Sequence, residues 1–418
     1  GSDLRMTVRQ VLSAFRIRFD PEENKNLTEE RGFFMKNLIV GQSGGPTAVI
    51  NASLCGAVQA WKEAGQEGRV YGMLNGIEGF LADRVTDLTA LTEEELKLLR
   101  LTPAAYLGSC RFKLPEDLTD AVYSAVFDNL REMNIGYFLY VGGNDSMDTV
   151  DKLSRFAART GSDVRFIGIP KTIDNDLALT DHTPGYGSAA KYIGTSTKEI
   201  IRDSNALEYG KGLVTVIEIM GRNAGWLTGA AALSKGEDCE GPDLIYLPEL
   251  AFDVEKFVEK VRGLLEKKQS VVVAVSEGIR LADGRYVCEL TDGVDYVDAF
   301  GHKQLSGTAN YLACRIANEL GCKARGIELS TLQRAASHLV SRIDIIEAYQ
   351  VGGAAVKAAD EGDTGEMVIL ERISDDPYQC TTSLRNVHKV SNVEKVVPRK
   401  WINEDGDYVT EEFLNYVK

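Results

Sequence analysis

The run Ile167-Gly168-Ile169-Pro170-Lys171-Thr172-Ile173-Asp174-Asn175-Asp176 sets two carboxylates, an ammonium and a hydroxyl close together behind an apolar stretch. Val164 to Ile169 reads as a buried strand, and Pro170, with no N–H for the ladder, ends it. Charged side chains just past a buried strand suit a site at the carboxyl end of a parallel sheet, where open α/β folds hold ligands. In such a site Asp174 is suited to act as a base and Asp176 to orient a cation or its partners, while Lys171 is suited to neutralise a phosphate. The same residues would also suit a turn whose Asp and Asn side chains satisfy only their own backbone.

Other stretches offer compatible chemistry. Asn37 to Val40 is a short apolar strand followed by Gly41-Gln42-Ser43-Gly44-Gly45-Pro46-Thr47 and a helix expected from Ala48 to Ala64. Strand, glycine turn and helix together point backbone N–H groups at an anion, or make a tight turn with no ligand. No Gly-Lys-Ser/Thr closes it, so it is not a Walker A loop. The strand 135–141 runs into Gly142-Gly143-Asn144-Asp145-Ser146 and a helix expected over 148–160. Paired glycines allow close approach to a phosphate. Asp145 is the wrong sign for direct phosphate contact, which implies an intervening metal or a group that excludes something. Arg111, in Leu107-Gly108-Ser109-Cys110-Arg111, either faces an anion or is solvated. Farther on, Arg222, Glu277 and Arg334 each follow an expected strand (212–220, 270–275 and 324–332). Two arginines for an anion and a carboxylate for hydroxyls suit a polyhydroxy phosphate.

Positioning these residues requires parallel strands whose loops converge. The sequence supplies alternating strands and helices, including helices expected over 92–100 (opened by a Thr92/Glu95 capping box), 117–134, 188–209, 227–234, 253–268, 306–320 and 341–361. The turn 75–79 follows a strand over 70–74, a further strand covers 244–247, residues 280–302 are turn-rich, and 364–372 resembles a hairpin. The fold class is therefore α/β: two Rossmann-like three-layer units with mostly parallel sheets and an active site in the cleft between them. The expected division is a peripheral extension at 1–34, one α/β unit at 35–186 completed by part of 335–390, a second α/β unit at 187–334, and a C-terminal segment at 391–418. Gly1-Ser2 reads as an expression scar, Arg5 to Ile17 as a short helix, and Met6 or Met35 as a natural start.

Composition narrows the functional classes. The chain has 418 residues, 44% hydrophobic and 26% charged, with a formal net charge of −15. An acidic chain gains no general attraction for nucleic acid, and an anionic substrate needs local cations or a metal. Seven cysteines and four histidines are dispersed, which argues against a disulfide framework or a zinc site and fits a cytoplasmic protein. No apolar run reaches the roughly 20 residues that cross a bilayer.

Taken together, SGGPTAVIN (43–51), GGNDS (142–146), PKTIDND (170–176), PGYGSAAKY (184–192), MGRNAGWL (220–227), SEG (276–278) and LQR (332–334) resemble the phosphofructokinase family, in its pyrophosphate-dependent branch. The likeness spans about Met35 to Asn392. It implies reversible, Mg²⁺-dependent phosphoryl transfer to the 1-hydroxyl of fructose 6-phosphate, a glycolytic step, by a cytoplasmic homo-oligomer (dimer or tetramer). By the same resemblance, Asp174 is the base, with Lys171, Thr172 and Arg222 beside it in the catalytic set. Gly44, Gly45, Gly143, Asp145 and Lys171 meet the donor. Thr172, Ile173, Asp174, Asp176, Met220, Gly221, Arg222, Glu277, Thr331 and Arg334 meet the acceptor, and Asn144 and Asp145 stand by the metal. ATP-using members carry glycine where this chain has Asp145 and Lys171. A carboxylate at 145 repels an α-phosphate, and Lys171 compensates a short, highly charged donor. Two positions depart from the family pattern: Asn144 replaces a metal-linked Asp, and Thr331 stands where His or Tyr is common. An ATP-dependent enzyme and a non-catalytic regulatory subunit are the alternatives. The latter would be expected to lose the Asp174 loop, which this chain keeps.

Overall fold

A computed structural model describes residues 36–206, 210–290 and 305–418. The helix expected at Arg5–Ile17 and the turn-rich stretch beyond 290 lie outside the described residues. Two sheets organise the rest. The larger has seven strands in the order β11-β10-β5-β4-β1-β2-β3. These are β1 (Asn37–Gln42), β2 (Val70–Met73), β3 (Val85–Asp87), β4 (Ile135–Gly142), β5 (Arg165–Pro170), β10 (Glu366–Asp375) and β11 (Tyr378–Asn386). All its pairings are parallel except the two edges, β2–β3 and β10–β11. The smaller is fully parallel, in the order β7-β8-β6-β9: β7 (Leu244–Tyr246), β8 (Ser270–Ser276), β6 (Leu213–Ile219) and β9 (Lys323–Glu328).

Both sheets are covered on both faces, which explains why their central strands are continuous apolar runs such as Val271 to Val275. On one face of the large sheet α1 (Ile50–Glu63) and α10 (Arg342–Glu361) pack Leu54, Val58, Val351 and Ala355 against Leu38, Val40 and Val141. The other face carries α4 (Ala121–Glu132) and α5 (Asn144–Thr160), through Val126, Leu130, Val150 and Leu153. The small sheet lies between α6 (Tyr186–Ala206) with α7 (Trp226–Gly229) on one side, and α8 (Val254–Leu265) with α9 (Thr308–Leu320) on the other. Two short helices, α2 (Gly76–Leu81) and α3 (Glu93–Arg100), and the terminal α11 (Glu411–Val417) complete the set. The capping box at Thr92 and Glu95 forms as its spacing predicts.

The structure corrects several local expectations. The turn read at 75–79 is the entry to α2, with Asn75 left-handed at φ 63°. The helix expected from Asp148 already begins at Asn144, because extended Gly143 serves as its N-cap and Asn-Asp-Ser is first-turn chemistry rather than loop chemistry. The strand expected over 324–332 stops at Glu328, where its ladder with β6 ends, and a 3₁₀ turn, Ser330–Gln333, follows. The hairpin read at 364–372 is longer: β10 and β11 turn at Asp376-Pro377.

The α1–α10 contact depends on two glycines. A Cβ at Gly56 would lie 2.0 Å from the Tyr349 carbonyl oxygen, and one at Gly352 would lie 2.0 Å from that of Ser53. At neighbouring Gly353 it would meet the Ala60 Cβ at 3.6 Å and the Gly56 carbonyl oxygen at 3.7 Å, both ordinary contacts. Alanine gains roughly 0.5–1 kcal/mol over glycine inside a helix, whereas overpacking against backbone costs about 1–3 kcal/mol. The two neighbours should therefore respond with opposite signs. In calorimetry, Gly352→Ala is expected to lower Tm and Gly353→Ala to leave it unchanged or raise it.

Candidate active site

The three central strands of the large sheet, β5, β4 and β1, end side by side, and each delivers a loop to one place. Ser43 N–H continues the ladder to the Val141 carbonyl (2.9 Å) and Lys171 N–H to that of Gly142 (3.0 Å). Residues 43–46, 143–146 and 171–176 are thus fixed relative to one another by sheet hydrogen bonds. Gly44 sits at φ 76°, its carbonyl accepting from Ser109 Oγ at 2.6 Å. A Cβ there would come within 3.3 Å of Lys171 Nζ, which itself donates to the Gly45 carbonyl at 2.7 Å. Only glycine lets the lysine reach across this turn in an unstrained backbone. Gly143 caps α5, so Asn144 and Asp145 occupy its first turn. A helix N-terminus favours negative charge, and here Asp145 already supplies one.

The smaller sheet answers from the opposite side. β6, β8 and β9 lead into residues 220–224, Glu277 and 330–334. Gly221, at φ 131°, turns so tightly that a Cβ would lie 2.6 Å from the Ala224 carbonyl oxygen. Ser276 Oγ donates to the Gly221 carbonyl at 2.5 Å, and Gly221 N–H donates to Glu277 Oε1 at 3.4 Å. These bonds aim Arg222 and Glu277 into the same space.

Between the sheets lies a cleft of about 570 Å³. Gly44, Gly45, Gly143, Asn144, Asp145, Lys171, Thr172, Ile173, Asp174, Asp176, Met220, Gly221, Arg222, Glu277 and Arg334 all line it. Thr331 does not: it is exposed on the 3₁₀ turn preceding Arg334. Arg111, whose role the sequence left open, lines the cleft with Lys113, Asn392 and Glu394, which sequence reasoning missed. Lys113 was within reach, since it is a second cation two residues from Arg111. Asn392 and Glu394 carried no local signal. They arrive on the segment after β11, where Asn392 Nδ2 donates to Asp148 Oδ1 (3.0 Å) and Glu394 Oε1 accepts from Asn223 Nδ2 (2.8 Å). A roomier surface depression of about 860 Å³ lies elsewhere, lined by Arg202, Asp238 and their neighbours. There Asp238 is paired with Arg202 at 2.8 Å and with Lys198, outside the depression, at 2.9 Å, leaving no convergence of reactive groups comparable to the cleft.

The electrostatics of the cleft are set by burial. Asp174 keeps some contact with solvent at the mouth but is densely surrounded. Burial raises its carboxyl above the usual range, opposed by Arg334, Lys171 and the Thr172 hydroxyl. That hydroxyl lies 3.4 Å from Asp174 Oδ2 and accepts from Asp174 N–H at 3.1 Å. Burial, with the Asp174 and Glu394 charges, lifts Asp176 to about 7. Glu277 rises to about 8, again chiefly by burial and then by Asp174. Lys171 falls to about 8, burial outweighing the attraction of Asp174. Titratable groups pushed toward neutrality around one cleft mark a reaction site rather than a structural ion-pair network. Among the described residues no cluster of His, Cys, Asp or Glu preforms a metal cage. The Asp176 Oδ1 and Asn144 Oδ1 atoms are, however, buried and lack a hydrogen-bond partner. Hard oxygens left open in this way on residues that line the cleft are the donor type that suits Mg²⁺, an ion that takes most of its remaining ligands from phosphate and water.

No helix among the described residues is long and apolar enough to cross a membrane. A phosphofructokinase family model matches residues 37–359. The pyrophosphate–fructose 6-phosphate 1-phosphotransferase of Halomonas elongata is 41% identical over 383 residues, covering 91% of this chain and 90% of that protein. Its namesake from Xanthomonas campestris pv. campestris is 41% identical over 381 residues, with the same shares covered. The crystal structure of the pyrophosphate-dependent phosphofructokinase from Nitrosospira multiformis superimposes with a TM-score of 0.82 at 38% identity, covering 92% of this chain and 91% of that one. With these likenesses spanning both sheets and the cleft between them, the chain belongs to the phosphofructokinase family.

Proposed function

We propose that the chain transfers a phosphoryl group from pyrophosphate to the 1-hydroxyl of fructose 6-phosphate, giving fructose 1,6-bisphosphate and phosphate. The observation that carries this reading is the opposition of a donor half, with Lys171 and Asp145, and an acceptor half, with Arg222, Glu277 and Arg334, across Asp174. Asp174 takes the proton of the sugar hydroxyl as its oxygen attacks the terminal phosphorus, and the bond to the departing phosphate breaks. Arg222 and Arg334 hold the sugar phosphate, and Glu277 accepts from a sugar hydroxyl. Lys171 and the backbone around Gly44 and Gly45 hold pyrophosphate. Asp145, at the start of α5, confronts the α-phosphate of a longer donor. Asn144 and Asp176 would hold Mg²⁺, with Asp145 at hand, and the chemistry a bound ion would supply is neutralisation of phosphate oxygens. Thr331 drops out of the acceptor set.

The donor unit on this reading is the large sheet with the returning β10–β11 hairpin, and the acceptor unit is the small sheet. We further read the protein as a cytoplasmic homo-oligomer. Leu98, Leu101, Leu332 and Ile343, each 49–65% exposed, are the apolar side chains that would support subunit contact.

Three experiments test the assignments. Asp174→Asn is expected to fold and bind substrates but lose roughly 10²–10⁴-fold in kcat, the range for general-base removal; near-normal kcat would remove Asp174 from its role. Alanine at Arg222 or Arg334 should raise KM for fructose 6-phosphate more than for pyrophosphate, and an effect confined to the pyrophosphate KM would reverse the halves. For the donor, wild-type protein should turn over with pyrophosphate and scarcely with millimolar ATP. Lys171→Ala should depress kcat with pyrophosphate more than affinity, since charge builds on the leaving phosphate in the transition state. Asp145→Gly should admit ATP. A wild type that prefers ATP would overturn the choice of donor.

A further inference from the structure

Asn175 lies between the two carboxylates of the catalytic loop, buried and left-handed at φ 54°. Asparagine tolerates this region better than most residues, but the conformation persists only where the surroundings hold it. Its side-chain amide is held from two sides. The Oδ1 atom accepts from Thr183 N–H at 3.1 Å and from Lys395 Nζ at 3.2 Å. The Nδ2 group donates to the Tyr416 hydroxyl at 2.8 Å. Both outside partners come from the C-terminal segment, beyond residue 359, where the family match ends.

The same two side chains also fix the far end of the loop. Lys395 Nζ donates to the carbonyls of Thr180 (3.2 Å) and Asp181 (2.8 Å), and the Tyr416 hydroxyl donates to Asp181 at 2.6 Å. The Lys395 backbone joins the halves of the cleft. Its N–H donates to the Asp176 carbonyl at 2.7 Å, and its carbonyl accepts from Trp226 Nε1 at 2.8 Å. Trp226 opens α7, directly after the loop that carries Arg222. Lys395 Nζ lies 5.2 Å from the centre of the Trp226 ring, and the Tyr416 ring packs on Trp226 and Trp401 at the same centroid distance. Neither Lys395 nor Tyr416 lines the cleft.

We infer that Lys395 and Tyr416 are positioning residues for phosphoryl transfer, clamping Asn175 so that the Asp174–Asp176 loop keeps its geometry against the Arg222 loop. The inference rests on the reaction proposed above. A clamp of this kind affects the alignment of the reacting atoms more than the binding of either substrate, so its loss appears in kcat and not in KM.

The test uses the full chain with Lys395→Met, Tyr416→Phe and Asn175→Ala, singly and paired. Lys395→Met is expected to lower kcat about 10- to 100-fold and Tyr416→Phe by a smaller factor, with both KM values within about two-fold of wild type. Each loss should shrink when Asn175→Ala is already present, because residues acting through one group are not additive. Amide hydrogen exchange over residues 174–183 should quicken in both single variants. A rise in KM without loss of kcat, or fully multiplicative effects with Asn175→Ala, would overturn the clamp. Tyr416→Phe removes one hydroxyl and decides the matter alone if Lys395→Met does not fold. Unchanged kcat together with unchanged exchange in that variant ends the inference. A wild type without turnover would count against the reaction, not the clamp, which the exchange experiment then judges by itself.

Discussion

Keeping Asp174 and Asp176 usable as carboxylates, two residues apart in one part-buried cleft, is the constraint on which the rest of the structure depends. Burial pushes both toward their neutral forms, and Glu277 with them. In a chain of net charge −15, distant electrostatics make this worse. The compensation must therefore be local. Arg334, Lys171 and Arg222 provide it for Asp174. Each reaches the cleft from the end of a different strand, so the charge balance exists only when both sheets are assembled. Polyanionic substrates entering such a cleft meet cations already held by sheet geometry, with little reorganisation left for the reaction itself.

Backbone close approach is the second requirement. The turn at Gly44 must pass Lys171, and the turn at Gly221 must pass Ala224. Both glycines have positive φ. On the proposed reading, main-chain groups and a helix start would serve phosphate recognition as much as side chains, which suits a donor with no base or sugar to grip. Asp145 then acts by position. In the first turn of α5 it already complements the helix dipole, and on the proposed reading it would set a negative charge against any longer polyphosphate.

Two sheets meeting at their strand ends could slide or open. The path of the chain opposes this. After α6 to β9 have formed the small-sheet unit, α10, β10 and β11 return to the large sheet. The segment from Ser391 onward then crosses back along the cleft to seat Trp401, Phe413 and Tyr416 around Trp226. Asp344, near the start of α10, accepts from the N–H groups of Gly185 (2.8 Å) and Ser188 (2.9 Å), so a carboxylate from one unit caps the helix that opens the other. The two walls of the cleft, carried on separate sheets, are thereby held in one register.

The sequence by itself determined the chemistry and the class of fold. Apolar runs ending in Gly-Gly, Pro-Lys or Arg can be read locally, because strand burial and turn conformation depend on nearest neighbours. Fifteen of the residues named from these runs together with the family resemblance line one cleft. Local patterns also misled. Asn144-Asp145-Ser146 looks like loop but begins a helix, and the strand before Arg334 is cut short because its partner β6 ends, which puts Thr331 outside the cleft. Only the tertiary structure decided where Lys113, Asn392, Glu394, Lys395 and Tyr416 lie relative to the cleft. Hydrogen bonds such as that from Lys395 Nζ to Asn175 Oδ1 join positions 220 apart. No periodicity or turn signal encodes such a meeting, since it depends on how two finished sheets dock and where the chain returns between them.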